Sequence, residues 1–182
     1  MNKTINVIKS SDTELGVMLS PGYPYKFKTI FGKAGNVRNV IDYISIPEYP
    51  ATLLGKTVLD SRDISLIKKF KKVKIENYHA IIASVLIERV KSDKKIIEMM
   101  KEEKYTYVSN FIKKSKLYGK VVEYKAPKHG MKVYCNILTK INELVYNDNL
   151  NDTTAWELIE SYMENKESLI GDLIEKKENA AQ

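Results

Sequence analysis

The stretch Ile75-Glu76-Asn77-Tyr78-His79-Ala80-Ile81-Ile82-Ala83-Ser84-Val85-Leu86-Ile87-Glu88-Arg89-Val90 is the most regular segment of the chain. Ile75, Tyr78, Ile82, Val85, Leu86 and Val90 recur at helical spacing, which predicts a helix with one broad buried stripe. Toward the C-terminus, Ser92 reads as the cap of a second helix, with Asp93 in its first turn and Ile96, Ile97 and Met100 inward. Strands over Tyr105–Val108 and Lys120–Tyr124 come next, then a break at Pro127 and Gly130. A helix over Met131–Tyr146 follows, with Tyr134, Ile137, Leu138, Ile141, Leu144 and Val145 on one side. Toward the N-terminus, residues 36–46 predict a short helix with Val37, Val40, Ile41 and Ile44 inward, ended by Pro47 and Pro50. Residues 5–31 read as extended segments and turns, closing on a strand, Tyr25 to Phe31, that Gly32 and Gly35 break. The pattern predicts an α+β fold: a small mixed sheet covered by helices, with an additional C-terminal helix.

Charge divides the chain. Residues 1–146 carry 27 Lys and Arg against 14 Asp and Glu, a net +13, whereas residues 147–182 carry 3 against 9, a net −6. Asn147 to Asp152 reads as a linker. Beyond it Thr154 and Glu157 form a capping-box pattern opening a helix with Trp156, Ile159, Tyr162, Met163, Leu169, Ile170 and Leu173 along one stripe. We therefore expect a basic α+β domain over 1–146 and an acidic helical extension over 147–182. The apolar stripe needs a surface to cover it, either the chain's own domain or a protein partner. The lone Cys135 excludes an internally disulfide-stapled scaffold. Residues 1–10 lack the apolar core of a signal peptide, and no apolar run approaches the ~20 residues of a membrane span. The expectation is a cytoplasmic protein without a membrane partner.

No metal or cofactor is expected. His79 and His129 lie far apart, no CxxC or HxxxH spacing occurs, and there is no phosphate-cradling GxxxxGK[ST] or GxGxxG loop. His79 reads as a packing residue beside the buried stripe. His129 and Cys135 are the one candidate base–nucleophile pair, but Cys135 falls in a predicted helix next to Tyr134. The run Lys68-Lys69-Phe70-Lys71-Lys72-Val73-Lys74 carries more information. Read as a helix, it spreads Lys68, Lys71, Lys72 and Lys74 around more than one side, with Phe70 and Val73 as anchors. A second group, Lys113, Lys114, Lys116 and Lys120, surrounds Tyr118. Lysines beside an aromatic ring suit a phosphate backbone with a stacking base. The chain has 27 Lys and only Arg38, Arg62 and Arg89, which argues against base-specific readout, a task suited to bidentate arginine.

The order of segments also resembles the NADAR (YbiA-like) family over about residues 5–146. The likeness runs through Ile5-Asn6-Val7, Ser10-Ser11-Asp12, Gly16, the turn Gly22-Tyr23-Pro24 and the extended segment Lys28 to Gly32. It continues through Asp42-Tyr43, Arg89-Val90 and Asn136-Ile137-Leu138. The resemblance implies an N-glycosidase acting on an ADP-ribosyl or riboflavin-pathway substrate, with Asp42, Tyr43, Arg89 and Asn136 as site residues. Ile41 or Asp42 stands where the family has its catalytic Glu, and the family's Trp-Gly loop has no counterpart before Asn136.

Two functional expectations follow. The first is a non-enzymatic protein whose basic surface engages nucleic acid or a nucleoprotein complex through Lys68, Lys69, Lys71, Lys72, Lys74, Lys113, Lys114, Lys116 and Lys120. Its size and composition suit a mobile-element anti-defence protein such as an inhibitor of a CRISPR effector. The second is the N-glycosidase that the resemblance implies. A generic protein-interaction module with a solvated lysine face is what remains without either.

Overall fold

The computed structural model of the chain describes residues 3–75, 78–117, 120–127 and 131–150, with residues 112–127 described through their backbone alone. Along the chain run β1 (Lys3–Asn6), α1 (Glu14–Met18), β2 (Phe27–Thr29), β3 (Gly32–Ala34), α2 (Val37–Ser45), α3 (Ala51–Leu54) and α4 (Ser61–Ile67). They are followed by α5 (Tyr78–Lys91), α6 (Lys94–Glu102), β4 (Tyr105–Val108), β5 (Asn110–Leu117), β6 (Lys120–Pro127) and α7 (Lys132–Tyr146). The fold is α+β. Its described strands form three two-stranded ladders: β1 parallel to β4, and β2–β3 and β5–β6 antiparallel. The helix expected over residues 154–177 lies outside the described residues. Where the sequence suggests one body over 1–146, the described residues divide into two compact units. One is Met1–Ser20 with Lys94–Leu150; the other is built from Pro21–Asp93.

In the first unit, α7 packs on β4 and α6, burying Tyr134, Ile137, Leu138, Ile141 and Val145 as the periodicity predicts. Side-chain amides join the elements. Asn142, fully buried on α7, accepts from the Tyr105 backbone N–H at 2.6 Å and donates to the Met100 carbonyl at 2.7 Å. One side chain thus satisfies the first amide of β4 and a carbonyl of α6. Asn6 acts similarly at the end of β1. Its amide donates to the Asn110 carbonyl and accepts from the Asn110 N–H, both at 2.9 Å, so the parallel pairing continues where the strand itself stops. The short α1, absent from the sequence reading, is capped by Thr13, whose hydroxyl accepts from the Gly16 N–H at 3.1 Å. Residue 16 must be Gly: a Cβ there would stand 2.3 Å from the Asn6 carbonyl oxygen.

In the second unit, the single strand expected from Tyr25 to Phe31 is instead a hairpin turning at Ile30 and Phe31. Gly32 takes φ 110°, a conformation that residues with side chains rarely adopt. The Thr29 hydroxyl donates to the Gly32 carbonyl at 2.8 Å, closing the turn. Asn36 caps α2 by accepting from the Asn39 N–H at 2.8 Å. Asn39, itself buried, donates to the Leu53 and Lys56 carbonyls at 3.0 and 2.6 Å and so fixes α3, which the sequence did not announce, against α2. A capping box of Asp60 and Asp63 starts α4. The helix α5 packs against β2 and α2, but not through one stripe: Ala80, Ile81, Ile82, Ala83, Val85, Leu86, Ile87, Arg89 and Val90 are all buried. His79, expected to pack, is exposed. Nor does Ser92 cap α6; its hydroxyl donates back to the Arg89 carbonyl at 2.8 Å.

Replacing Asn142 by the near-isosteric Leu leaves a buried N–H and a buried carbonyl unpaired, at about 1–3 kcal/mol for each orphaned group. The expected outcome of Asn142→Leu is a loss of about 2–6 kcal/mol in denaturant unfolding with an unchanged far-ultraviolet spectrum. An unchanged midpoint would show that this amide does not join α7 to β4.

Candidate functional site

The lysine run is neither a helix nor a floppy loop. α4 stops at Ile67, with Lys68 as its C-cap, and the Lys69 and Phe70 N–H groups bond back to the Leu66 and Ile67 carbonyls. The chain then leaves helical geometry and is fastened at three points. Phe70 packs with Ile67, Tyr43 and Leu59 on the buried cluster Ile46, Tyr49 and Leu53. The Val73 N–H donates to the Ser45 carbonyl at 2.8 Å, attaching the strap to the last turn of α2. Lys72 Nζ lies 2.7 Å from Asp42 Oδ1. Phe70 is therefore an anchor as expected, whereas the Val73 side chain is exposed and its backbone does the anchoring.

Asp42 is the electrostatic centre of this arrangement. Its second oxygen, Oδ2, takes Arg38 Nε at 3.2 Å from one turn earlier on α2. The carboxylate side chain is 8% exposed, while Lys72 and Arg38 are 54% and 52% exposed. A buried anion therefore holds two cations by their ends while much of each side chain stays in water. Lys68, Lys69, Lys71 and Lys74 are exposed along the same strap. Arg38 was not singled out in the sequence, although its (i, i+4) spacing to Asp42 on a predicted helix was the available signal. Burial, reinforced by the negative Asp42, pushes the Tyr49 hydroxyl well above its ordinary range. Burial likewise raises Tyr78, where Arg38 opposes the rise and Asp42 adds to it.

The other named residues go elsewhere. Tyr43 is half-buried between Phe31 and Tyr49, with ring centroids 5.8 and 6.1 Å away. Arg89 is 2% exposed, salt-bridged to Asp93 at 3.1 Å, with its guanidinium over the Tyr25 ring at 3.9 Å. Tyr25 in turn donates its hydroxyl to the Ser92 carbonyl at 2.6 Å. This closed cation–π and ion-pair cluster ties the end of α5 to the segment before β2. Asn136 belongs to the first unit, exposed on α7. It helps line a pocket of about 220 Å³ with Tyr107, Asn110, Lys132 and Cys135. Burial pushes the Cys135 thiol up to about 12, so at neutral pH it is a thiol, the opposite of what a nucleophile needs. Lys113, Lys114, Lys116 and Lys120 ride on the β5–β6 hairpin in the first unit, at register positions opposite Tyr124, Glu123, Val121 and Leu117. Tyr118 and His129 lie outside the described residues. Among the described residues no three His, Cys, Asp or Glu side chains gather as a metal site, and no helix is long and apolar enough to cross a membrane.

If Asp42 is the fastening of the strap, Asp42→Asn removes its charge while keeping its shape. Hydrogen bonds to charged groups contribute about 1.5–3 kcal/mol each, and the exposure of both cations puts the expected loss at the low end, roughly 1–2 kcal/mol. The specific readout is the Val73 amide, whose hydrogen exchange should accelerate, together with faster tryptic cleavage at Lys71 and Lys72. Unchanged Val73 protection would mean that the strap is held without the ion pair.

No protein-family model, curated protein or solved structure matches this chain.

Proposed function

We propose that this protein binds nucleic acid through the phosphate backbone, using the strap of residues 68–74 as a rigid row of point charges. The observation that carries this reading is the fastening by Asp42, Phe70 and the Val73 N–H, beside which Lys68, Lys69, Lys71 and Lys74 stand exposed. A fixed backbone lets the lysines meet phosphates without ordering a loose loop first. Attraction is reinforced by the net +13 of residues 1–146. Base sequence is not read, because two of the three arginines have other work: Arg89 is sealed in its cluster and Arg38 is held by Asp42. A nucleoprotein complex presents the same phosphate chemistry and is a partner of the same class.

The N-glycosidase implied by the NADAR resemblance is the second reading, and Asp42 bears on it directly. Cleavage through an oxocarbenium-like state calls for a carboxylate free to face the sugar. Both oxygens of Asp42 are engaged by cations, and the Arg89 guanidinium is enclosed. These contacts support a scaffold diverged from that chemistry, since fold does not fix function.

A salt titration on a labelled oligo(dT) strand tests the proposal. Lys68→Glu, Lys69→Glu and Lys71→Glu are combined because all three are exposed and the Lys72–Asp42 pair stays intact. Three lost contacts should flatten the slope of log affinity against log salt by about 2, at about 0.7 per phosphate on single strands. A wild-type protein that binds no strand even at low salt would overturn the proposal. Release of free base or sugar from ADP-ribosyl or riboflavin-pathway substrates, lost in Asp42→Asn, would establish the glycosidase instead.

A further inference from the structure

The β2–β3 hairpin ends in residues that tight turns avoid. Short hairpin connections favour Gly, Asn and Asp, yet Ile30 and Phe31 form this one. Ile30 is 37% exposed and Phe31 is half-buried. Neither side chain closes the turn. The Thr29 hydroxyl does so, donating to the Gly32 carbonyl at 2.8 Å and accepting from the Phe31 N–H at 3.1 Å. One step back along the ladder, Lys28 and Lys33 stand directly opposite each other, and both are exposed. Like charges so placed destabilise a strand pair. An apolar tip backed by two opposed lysines is poorly explained by stability. It suits a ligand that has both an apolar face and negative charge.

The ring at the tip is held in position. Phe31 meets Tyr43 with 5.8 Å between centroids and a tilt of 51°. Tyr43 and Phe70 both pack on the Ile46–Tyr49–Leu53 cluster, so hairpin tip and lysine strap rest on the same core, within one unit. We propose that the hairpin is a second contact for the nucleic-acid strand: a base stacks on Phe31, while Lys28 and Lys33 take the phosphates beside it. The inference rests on the nucleic-acid reading above and narrows it to single strands, since the bases of a duplex are already stacked on one another. Every base has a face to offer, so stacking adds affinity without base choice, in keeping with the scarcity of arginine.

The test compares oligo(dT) with an abasic strand of the same length, which keeps the phosphates and lacks the bases. Wild type should bind oligo(dT) about tenfold more tightly, the scale of one base–aromatic stack. Phe31→Leu keeps an apolar contact with Tyr43 but cannot stack, so it should bind the two strands equally. Phe31→Trp should keep the preference. Lys28→Glu sets opposite charges across the ladder from Lys33, so the melting temperature should hold or rise. The same variant should flatten the slope of log affinity against log salt on oligo(dT) by about 0.7. Equal binding of both strands by wild type, or a preference that Phe31→Leu retains, overturns the inference and leaves the strap reading standing. A wild-type slope in Lys28→Glu overturns it as well. A preference lost in Phe31→Leu, in a protein indifferent to charge reversal at Lys68, Lys69 and Lys71, upholds the hairpin contact and overturns the strap. Wild type that binds neither strand overturns both. Sedimentation with anionic vesicles, lost in Ile30→Asp, would then assign the tip to a lipid surface.

Discussion

One buried carboxylate organises the surface on which function is proposed. Asp42 sits low on α2 and is nearly out of water, where an unpaired charge is costly. It is compensated by Lys72 from the strap and Arg38 from its own helix. The compensation works in both directions. The carboxylate is made tolerable inside the unit, and the strap gains a fixed point thirty residues away in sequence from the helix it rests on. Phe70 and the Val73 N–H add an apolar and a backbone fastening on either side. Three weak attachments of different chemistry thus turn a lysine-rich connection into a defined edge. A row of like charges held this way repels itself.

Elsewhere asparagine side chains, buried at Asn39 and Asn142 and partly buried at Asn6, join one segment to another. Asn6, Asn39 and Asn142 each bond backbone groups of another segment. Ladders of three or four rungs, such as β1–β4 and β2–β3, have little stability alone. At β1–β4 amide side chains add to the ladder, Asn6 at its end and Asn142 at the first amide of β4, while at β2–β3 the Thr29 hydroxyl closes the turn. Arg89 makes the same kind of join with a charge, stacked on Tyr25 and neutralised by Asp93. Such joins are specific because each leaves orphaned polar groups when broken.

The longer elements were legible because their periodicity extends over several turns. α7 buries the face that its spacing indicated, and β4 falls where Tyr105–Val108 was read. α5 was found as a helix, yet its near-complete burial was not foreseen, since Ala80, Ala83 and Arg89 do not belong to a simple apolar stripe. The short α1, α3 and α4 have too few residues for periodicity to register; caps and neighbouring carbonyls hold them. β5 escaped because its Lys-rich stretch is poor in strand-favouring residues, and pairing along β6 supplies what propensity does not. The strap read as helical because lysine tolerates helices well. The bond from Val73 to Ser45 decides against it, and it is a tertiary contact.

By itself the sequence determined the α+β class, the positions of the long helices, the charge difference between residues 1–146 and 147–182, and the scarcity of arginine. These follow from composition and local spacing, which need no knowledge of what folds against what. Only the tertiary structure decided the roles of the individual charges. Asp42 became a counter-ion, Arg89 a sealed core cation, and Lys72 a fastening, while Lys68, Lys69, Lys71 and Lys74 stayed in water. The physical reason is that a charge takes its meaning from its distance to other charges and to solvent. Residues far apart in the chain set those distances, as Asp42 and Lys72 do.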